Sequence, residues 1–452
     1  MNDIQTLRSA LPGRAFSPGD DGYDTLRRPW NLSVDQYPAL VVMAESVDDV
    51  RAAVQLARRQ GLGLAVQSSG HGAVHPCDGG IVVNVSRLDG VRVDPDAGVA
   101  RVGAGARWRA VLEAADPHGL IGLSGTATNV GVAGYTLGGG LGILMRRFGF
   151  AADSLIGADV VTADGETLRA DGANHPDLLW ALKGGSGNFG VVTSLDVRLH
   201  PVRKVVNGML AYPGERAAEV LSSWAEWTRQ VPDDVTSAAM LVTVPPVPAV
   251  PEPIRGQHLV IVRSTVAGAD TTQVDQLRDK LGAPLMDTTT TSGYLQAAMS
   301  GMEPEDPSTA AGRSTLLTGL SAGTIARITE AAGPGSPINP LEIRHLGGAA
   351  AHAPDQPSAV SHRDAAYVLA MHAAPADAAE ADATVRTMEG ALSSITDDAH
   401  GGTFINFLHH GSTAAEVRSA YDAATYRRLT EVKRTYDPHN TFRFNHNIEP
   451  AE

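Results

Sequence analysis

The sequence predicts an α+β protein whose N-terminal part opens with a strand–helix–strand unit and whose middle part is a second α+β domain. Apolar residues 39–44, a helical pattern beginning after Ser46 and apolar residues 64–66 make up the first unit. Beyond Pro201, strand-like stretches alternate with amphipathic helical patterns and Pro-rich loops, which is typical of an α+β domain with long loops.

Cap and turn residues set most element boundaries. Ser46 followed three residues later by Asp49 has the pattern of a capping box, and Gly61 ends that helix. The patterns predict strands at 39–44, 64–66, 81–85 and 191–197, a hairpin of 91–93 with 99–102, and helices at 109–115, 177–183 and 426–436. Further on they predict strands at 259–262, 343–346 and 403–408, and helices at 215–230 and 377–392.

The turn after the strand at 64–66 reads Ser68-Ser69-Gly70-His71-Gly72. Ligands of open α/β sheets bind beyond the carboxyl ends of strands, and backbone N–H groups in such a turn suit a phosphate. An ordinary tight turn with a surface histidine explains the same residues, and local composition alone favours it. The rest of the chain has to decide between the two.

Two stretches are similar to a dinucleotide-binding fingerprint, but neither satisfies it. Residues 103–108 lack the third glycine. Residues 185–190 have the full spacing, but a predicted helix precedes them and a predicted strand follows. The fingerprint needs the strand first, so that the pyrophosphate meets a helix N-terminus. The sequence therefore argues against a nicotinamide-binding Rossmann domain.

A denser glycine-rich stretch occupies residues 125–142 and contains seven glycines. Without side chains, these residues allow the backbone to lie along a flat or extended ligand. A glycine-rich packing corner is the alternative explanation.

Composition narrows the possible partners and compartments. The net charge of −14 disfavours nucleic acid and anionic membrane surfaces. The single cysteine, Cys77, excludes an internal disulfide and a multi-cysteine metal site, and we expect a buried thiol rather than a nucleophile. Neither a signal-peptide core nor a run of about 18 apolar residues is present, so we expect a cytoplasmic protein.

Longer motifs carry a resemblance to one family. The chain resembles flavin-linked oxidoreductases of the vanillyl-alcohol-oxidase superfamily, in the berberine-bridge-enzyme-like and 6-hydroxynicotine-oxidase-like branch. The matching segments are 70–72, 77–80, 130–142, 148–153, 159–165, 176–185, 188–193, 436–438 and 445–448. They follow the family's order over nearly all of 35–205 and 400–450, whereas the middle part matches weakly, at 342–349 and 362–364.

The resemblance implies a two-domain flavoprotein. Residues 1–205 would form the N-terminal part of an FAD-binding domain of the PCMH type, residues 206–404 a substrate-binding domain with a mainly antiparallel sheet, and residues 405–452 a segment returning to the first domain. The positions that it assigns to FAD binding are Val66, Ser68, Ser69, Gly70, His71, Gly72, Gly125, Thr126, Gly131, Gly134, Gly138, Gly139, Gly140, Gly142, Asn188, Gly190, Val192, Asn445 and Asn447.

The resemblance also places His71 where relatives attach the flavin 8α-methyl group through imidazole. A neutral imidazole nitrogen is a competent nucleophile for such a bond. Many relatives add a second bond from a cysteine two residues after the glycine that corresponds to Gly125, and here that position is Ala127. Since Cys77 belongs to a different loop, we expect a single covalent link through His71 and, as a minor indication, a smaller or more enclosed substrate.

Three residues are candidates for contact with the substrate or the reacting atoms. Glu342 lies on the strand leading to Gly347, where relatives aim a polar residue over the flavin, although a solvent-facing carboxylate is the alternative. Tyr135 occupies a position close to the flavin in relatives, with packing in the glycine corner as its alternative. Asn406 could hydrogen-bond flavin or substrate, and Phe404 stands where relatives often show tyrosine, which argues against a tyrosine-based mechanism.

The expected function is an oxidase that removes a hydride from a C–OH or C–NH carbon of a small molecule, with O₂ as acceptor and H₂O₂ as product. The motifs equally allow an oxidative cyclase or tailoring enzyme, and a dehydrogenase or a non-catalytic FAD-fold binding protein stays open. We expect no metal site, because six histidines that suggest one lack carboxylates at ligand spacing, these being His345, His352, His362, His372, His409 and His410. The sequence is silent on oligomeric state.

Overall fold

A computed structural model describes residues 3–248, 250–301 and 306–452. Residues 1 and 2 of the predicted N-terminal domain, and 249 and 302–305 of the predicted substrate-binding domain, lie outside the described residues. Within the described ranges, no helix has the length and apolarity that a membrane span requires.

The first sheet contains the predicted strand–helix–strand unit. Its strands are β1 (Ala15–Phe16), β2 (Leu40–Met43), β3 (Leu64–Gln67) and β4 (Ile81–Asn84), in the order β1-β2-β4-β3, with β2 and β3 parallel to β4. Helices α1 (Asp3–Ala10), α2 (Tyr23–Arg27) and α3 (Val47–Gln60) accompany it. Every residue of β2 and β4 is buried, as expected for parallel strands covered on both faces.

Helix α3 begins and ends where the sequence predicts. Ser46 Oγ accepts a 3.2 Å hydrogen bond from the backbone N–H of Asp49, and the Asp49 carboxylate accepts one of 3.2 Å from the N–H of Ser46. Gly61 ends the helix in the left-handed conformation, at φ 64°. The next residues form β3, so the His71 turn starts at the carboxyl end of a parallel strand.

A second sheet of five strands follows. Its strands are β5 (Val91–Asp94), β6 (Val99–Gly103), β8 (Leu155–Val161), β9 (Thr167–Asp171) and β10 (Val191–Arg198). The order is β5-β6-β10-β8-β9, and all neighbours are antiparallel. The remaining elements of this part are β7 (Leu120–Ile121), β11 (His200–Pro201), α4 (Trp108–Ala115), α5 (Val132–Leu137), α6 (Met145–Phe148) and α7 (Pro176–Leu182).

The third sheet has eight strands and is antiparallel throughout. They are β12 (Val205–Pro213), β13 (Val235–Thr243), β14 (His258–Ala267), β15 (Met286–Asp287), β16 (Thr290–Ser292), β17 (Ala311–Leu317), β18 (Leu341–His345) and β19 (Tyr367–Ala373). The helices of this part are α8 (Ala217–Thr228), α9 (Thr272–Leu281), α10 (Tyr294–Ala298), α11 (Ala322–Ala331) and α12 (Ala378–Ser394). This mainly antiparallel second half agrees with the predicted fold class.

One row of side chains crosses the third sheet on the face opposite its helical layer. Met209 pairs with Arg263, Arg263 with Ala238, and Ala238 with Arg344, on four adjacent strands. Glu342, two residues before Arg344, shares that face because side chains alternate along a strand.

The C-terminal segment corrects one prediction. Residues 403–408 do not form a strand, because a 3-10 turn occupies Ile405–Phe407 and is closed by local hydrogen bonds to Phe404 and Ile405. The two adjacent apolar residues of this turn pack in different places: Ile405 packs into the core of the first part, whereas Phe404 packs beside Leu316 of the third sheet. Helices α13 (Ala414–Ser419) and α14 (Ala423–Tyr436) follow.

Two large clusters of buried apolar side chains stabilise these layers. One combines residues between 7 and 199 with Ala359 and residues between 405 and 448, and the other uses residues between 206 and 395. Arg146 of α6 joins the two parts, since its guanidinium is buried and donates to the carbonyl oxygens of Val235 at 2.8 Å and Leu346 at 2.6 Å, and to His345 Nε2 at 3.1 Å. This contact holds the segment after the glycine-rich stretch against the third sheet.

Candidate functional site

Three loops meet beyond the carboxyl end of β3. A Cβ atom at Gly131 would lie 3.0 Å from Ser68 Oγ, so the His71 turn and the glycine-rich stretch are in contact. Gly131 also forms a bridge with Arg107, and the N–H of Val132 donates to the carbonyl of Ala106 at 3.0 Å. The stretch at 103–107, which failed as a dinucleotide fingerprint, therefore borders the same site.

His71 is held in one orientation by two neighbours. Its Nδ1 shares a 2.9 Å hydrogen bond with Ser69 Oγ, and its ring stacks on Trp30 at 4.2 Å between centroids with 12° between planes. Burial and then the positive charge of Arg107 lower the pKa of His71 to about 4. The imidazole is therefore neutral at neutral pH, the form that acts as a nucleophile.

Glycine is required at position 70 for two reasons. The residue has φ 81°, and a Cβ would lie 2.6 Å from Pro29 Cα and from the backbone N of Trp30. Gly72 differs, because a Cβ atom added there would have no other atom within 4 Å. Val66, at the end of β3, is 41% exposed. The turn thus packs on residues 29 and 30 and leaves its other side open.

The glycines of the stretch at 125–142 divide into two groups. Gly134 is exposed within α5, and a Cβ there would meet no atom within 4 Å, so this part of the helix presents bare backbone. In contrast, a Cβ at Gly138 would lie 1.8 Å from Asn406 Oδ1, and one at Gly140 would lie 2.5 Å from the Tyr135 ring. A Cβ at Gly142 would lie 3.1 Å from the carbonyl oxygen of Ser124, and one at Gly190, outside this stretch, would lie 2.5 Å from Val160, so packing accounts for these glycines. At Gly139 the backbone itself favours glycine, with φ 110°.

The C-terminal asparagines lie beside the start of β10. Asn188 donates to the carbonyl oxygens of Gly185 at 2.9 Å and His446 at 3.1 Å, and it accepts from the N–H of Ile448 at 2.9 Å. Its side chain thus positions residues 446–448. Val192 is buried and pairs with β8.

Several buried polar atoms in and around this site have no hydrogen-bond partner among the described residues. They include Oδ1 of Asn445, Oδ1 of Asn447 and the hydroxyl of Tyr135. Buried polar groups are normally paired, so unpaired ones at a predicted ligand site call for an additional partner. Together with the bare backbone at Gly134 and the open sides of Gly72 and Val66, they fit a large, flat, polar ligand such as FAD.

A cavity of about 360 Å³ lies between the glycine-rich stretch and the third sheet. Thr126, Leu141 and Gly142 line it on one side, and the sheet contributes Glu342 and Arg344 among others. Apolar, methionine and hydroxyl side chains form most of the remaining wall. Thr126 and Gly142, which were predicted from the FAD side, therefore share a cavity with Glu342, which was predicted from the substrate side.

Glu342 is a buried, charged group. It is 8% exposed, so it is not the solvent-facing carboxylate of the alternative explanation, and it accepts a 2.8 Å hydrogen bond from Arg344 Nε. Burial alone would raise its pKa, but the charges of Arg344 and Arg263 outweigh that effect and hold the pKa below its ordinary value. The carboxylate stays ionised at neutral pH.

The other two candidates lie next to each other. Asn406 Nδ2 donates to the backbone carbonyl of Tyr135 at 2.8 Å. A Cβ atom added at Gly125 would lie 3.6 Å from the Tyr135 hydroxyl. Burial raises the pKa of that hydroxyl. The structure therefore links Asn406 to the glycine helix, not to the strand on which it was predicted.

Sequence reasoning missed Trp30, Arg107 and Arg344. The period of two along β18 could have indicated Arg344, because it must share a face with Glu342. Cys77 is fully buried, and burial raises the pKa of its thiol to about 12, as expected for an unreactive cysteine. In the described ranges, no group of three or more histidine, cysteine or carboxylate side chains could hold a metal ion.

Comparison with known proteins supports an FAD-binding chain. The family model for an FAD binding domain matches residues 38–171, and the model for berberine and berberine-like proteins matches residues 403–449. The chain is 28% identical to (R)-6-hydroxynicotine oxidase of Paenarthrobacter nicotinovorans over 98% of its length and 97% of that protein's.

Solved structures extend the agreement to the fold. The crystal structure of 6-hydroxy-D-nicotine oxidase from Arthrobacter nicotinovorans superimposes with a TM-score of 0.85 at 26% identity, over 98% of both chains. Glucooligosaccharide oxidase from Acremonium strictum, described as carrying a 6-S-cysteinyl, 8α-N1-histidyl FAD, has a TM-score of 0.86 at 21% identity over the whole of both chains, and so shares the fold. The chain thus contains an FAD binding domain and a berberine-like domain, and it is an FAD-dependent oxidoreductase similar over nearly its whole length to 6-hydroxynicotine oxidase.

Proposed function

We propose that the protein is an oxidase that takes a hydride from a carbon bearing a hydroxyl or amino group on a small molecule and passes the electrons to O₂. When bound, FAD supplies a ring that accepts a hydride at N5 and is reoxidised by O₂ with release of H₂O₂. The observation that carries the proposal is the buried carboxylate of Glu342, which faces the same cavity as Thr126 and Gly142 of the FAD side.

Glu342 acts in this proposal on the hydroxyl or amino proton of the substrate. Because Arg344 and Arg263 hold its pKa low, the carboxylate is a good hydrogen-bond acceptor and a weak base. It therefore orients the donor group of the substrate and polarises its O–H or N–H bond. Tyr135 and Asn406 support the glycine helix that forms the opposite wall.

The cavity supports a small, partly apolar substrate. A volume of about 360 Å³ suits a single small molecule. Sugar rings commonly stack on aromatic side chains, and none of the described residues that line this cavity is aromatic. The relative named above as 6-hydroxynicotine oxidase acts on a small nitrogen heterocycle, and we propose a substrate of similar size here.

We also propose that FAD is attached through His71 alone. The neutral imidazole with a depressed pKa supports nucleophilic attachment, and Ala127 offers no second bond. Residues 68–72, 125–142, 188–192 and 445–447 would hold the cofactor without covalent help, with Gly134 and the carbonyl groups of Asn445 and Asn447 on its surface.

The same reasoning leads us to propose the domain boundaries 1–205, 206–404 and 405–452. The apolar cluster shared by residues before 199 and after 405 supports one FAD-binding unit made of the first and last segments. The separate cluster between 206 and 395 supports a substrate-binding domain over the cavity.

The first test measures acid-stable flavin colour and the release of H₂O₂. The purified protein is expected to be yellow and to give a yellow pellet after acid precipitation, and a panel of small alcohols and amines is expected to yield one that releases H₂O₂ in a peroxidase-coupled assay. Sluggish reaction of the substrate-reduced enzyme with O₂ in stopped-flow mixing would instead identify a dehydrogenase. A protein that binds FAD but is reduced by no compound of the panel and releases no H₂O₂ would instead be a binding protein.

Variants at two positions test the single link. His71→Ala is expected to bind FAD but to release all of it to the supernatant on acid precipitation, because only the non-covalent contacts remain. Cys77→Ala, at the only cysteine in the sequence, is the matched control and is expected to keep its FAD in the pellet. Free FAD in the supernatant of the unmodified protein would contradict the covalent link.

A further inference from the structure

The indole of Trp30 lies flat against the imidazole of His71. The ring centroids are 4.2 Å apart and the planes differ by 12°, which is close to parallel stacking. The second restraint on the imidazole is the 2.9 Å hydrogen bond between Nδ1 and Ser69 Oγ. Stacking fixes the plane of the ring, and the hydrogen bond fixes its rotation within that plane.

The backbone around Trp30 is fastened to the turn that carries His71. The N–H of Trp30 donates to the carbonyl of Ser69 at 3.2 Å, and the N–H of Asn31 donates to the carbonyl of Gly70 at 3.3 Å. The close approach of Pro29 and Trp30 to Gly70 Cα admits no side chain at position 70. The indole cannot move away from His71 without breaking these contacts.

The same segment is fastened on its other side to the part of the chain that precedes β17. The N–H of Leu32 donates to the carbonyl of Ser308 at 2.9 Å, and the N–H of Ser308 donates to the carbonyl of Trp30 at 3.1 Å. Ser33 Oγ accepts from the N–H of Ala310 at 3.0 Å. The indole thus stands on a rigid support bonded to two different regions of the fold.

We propose that Trp30 is a positioning residue for the attachment of FAD to His71, an inference that rests on the proposed covalent link. An imidazole that is fixed in both its plane and its rotation is already oriented for attack on the flavin methyl group. Such pre-orientation lowers the entropic part of the barrier and accelerates bond formation. The indole also covers one face of the imidazole and shields that face from solvent.

The attachment balances without a further reagent beyond O₂. A C–N bond would form between an imidazole nitrogen and the 8α carbon in place of one C–H and one N–H bond. The two protons and the one electron pair released would reduce the flavin ring, and O₂ would then take them up as H₂O₂. Trp30 enters this step only through the orientation of His71.

The test is the rate at which FAD becomes acid-stable. Protein produced under flavin limitation is incubated with excess FAD, and samples are precipitated with acid over time to measure the flavin in the pellet. Trp30→Phe keeps a flat ring and is expected to attach FAD at nearly the unmodified rate. Trp30→Leu keeps apolar volume without the ring and is expected to attach it on the order of tenfold to a hundredfold more slowly.

Two controls separate this effect from general damage. Tyr37→Leu removes another aromatic ring from the same N-terminal region, one that faces Arg27 at 4.3 Å and not His71, and it is expected to leave the rate unchanged. Total bound FAD before precipitation and the thermal unfolding temperature are measured for each variant, and both are expected to stay near those of the unmodified protein for Trp30→Leu.

The outcomes are distinguishable from failure of the proposed link. If the unmodified protein never forms acid-stable flavin, the His71 link itself is wrong. If the unmodified protein attaches FAD and Trp30→Leu does so at the same rate as Trp30→Phe, the positioning role of the indole is overturned. Equal slowing by Trp30→Leu and Trp30→Phe would also overturn it, because a flat ring would then not be what matters.

Discussion

The two walls of the candidate site are built in different ways. On the FAD side, the wall is made of backbone from two continuous stretches, 66–72 and 125–142. Some of their glycines leave the backbone open toward the proposed ligand, and others let it pack closely against protein atoms. On the substrate side, single residues from separate strands meet on one face of an antiparallel sheet, as Arg263 and Glu342 do. A wall made of backbone leaves a motif in the sequence, whereas a wall made of alternating side chains leaves almost none.

The largest effect is expected on the substrate side. Replacement Glu342→Gln keeps the shape but removes the charge that orients and polarises the substrate O–H or N–H bond, so kcat should fall by about 10²-fold in the H₂O₂ assay. Because the pKa of Glu342 is held below its ordinary value of 4.5, the ionised form and the activity that needs it should persist as pH falls from 8 to about 5, and decline only below the lowered pKa.

A carboxylate outside the cavity is the matched control for that variant. Glu389 of α12 accepts from Arg313 at 3.1 Å and lies away from the cavity that Glu342 lines, so Glu389→Gln should leave kcat unchanged. Thermal unfolding of Glu342→Gln shows whether the loss of a partner for Arg344 has disturbed the fold. A variant that folds and retains full kcat would remove Glu342 from the mechanism and weaken the contrast between the two walls.

On the FAD side, two glycine-to-alanine changes should act in opposite ways. Gly134→Ala adds a methyl group at a helix position where the new Cβ would have no other atom within 4 Å. Because alanine favours the helix over glycine, the free energy of unfolding of the FAD-free protein should rise by about 0.5–1 kcal/mol. The same methyl group would stand on the surface proposed for FAD, so FAD affinity should fall, which titration of the FAD-free His71→Ala background would measure.

Gly140→Ala is the counterpart and should damage the fold itself. The position has φ 72°, and the new Cβ would lie 2.5 Å from the Tyr135 ring and 2.8 Å from Ala151 Cβ. Left-handed strain and overpacking together should lower the free energy of unfolding by about 2–4 kcal/mol in denaturant titration. If instead Gly134→Ala destabilised the protein and left FAD binding intact, bare backbone at Gly134 would have no part in the site.

The same difference explains what could be predicted from the sequence. The capping box at Ser46, the parallel strand before His71 and the family itself are encoded in contiguous residues, so local patterns predicted them. The predicted strand at 403–408 was wrong because the adjacent apolar residues Phe404 and Ile405 pack into two different cores that only the folded chain brings together. Trp30 stacks on His71 from 41 residues upstream, and the charge of Arg107 acts on His71 from 36 residues downstream, and no local pattern could place either residue there.

The smallest effect is expected at Tyr135, within the glycine helix of the FAD side. Its hydroxyl is buried and has no partner among the described residues, so Tyr135→Phe removes an unsatisfied group and should leave the free energy of unfolding of the FAD-free protein unchanged or slightly higher. If bound FAD or substrate supplies the missing partner, the loss of one hydrogen bond of about 1 kcal/mol should lower FAD affinity or kcat/KM roughly fivefold. Parallel measurement of both quantities shows which ligand supplies it. If FAD affinity and kcat/KM are both unchanged, the Tyr135 ring serves only to pack against Gly140.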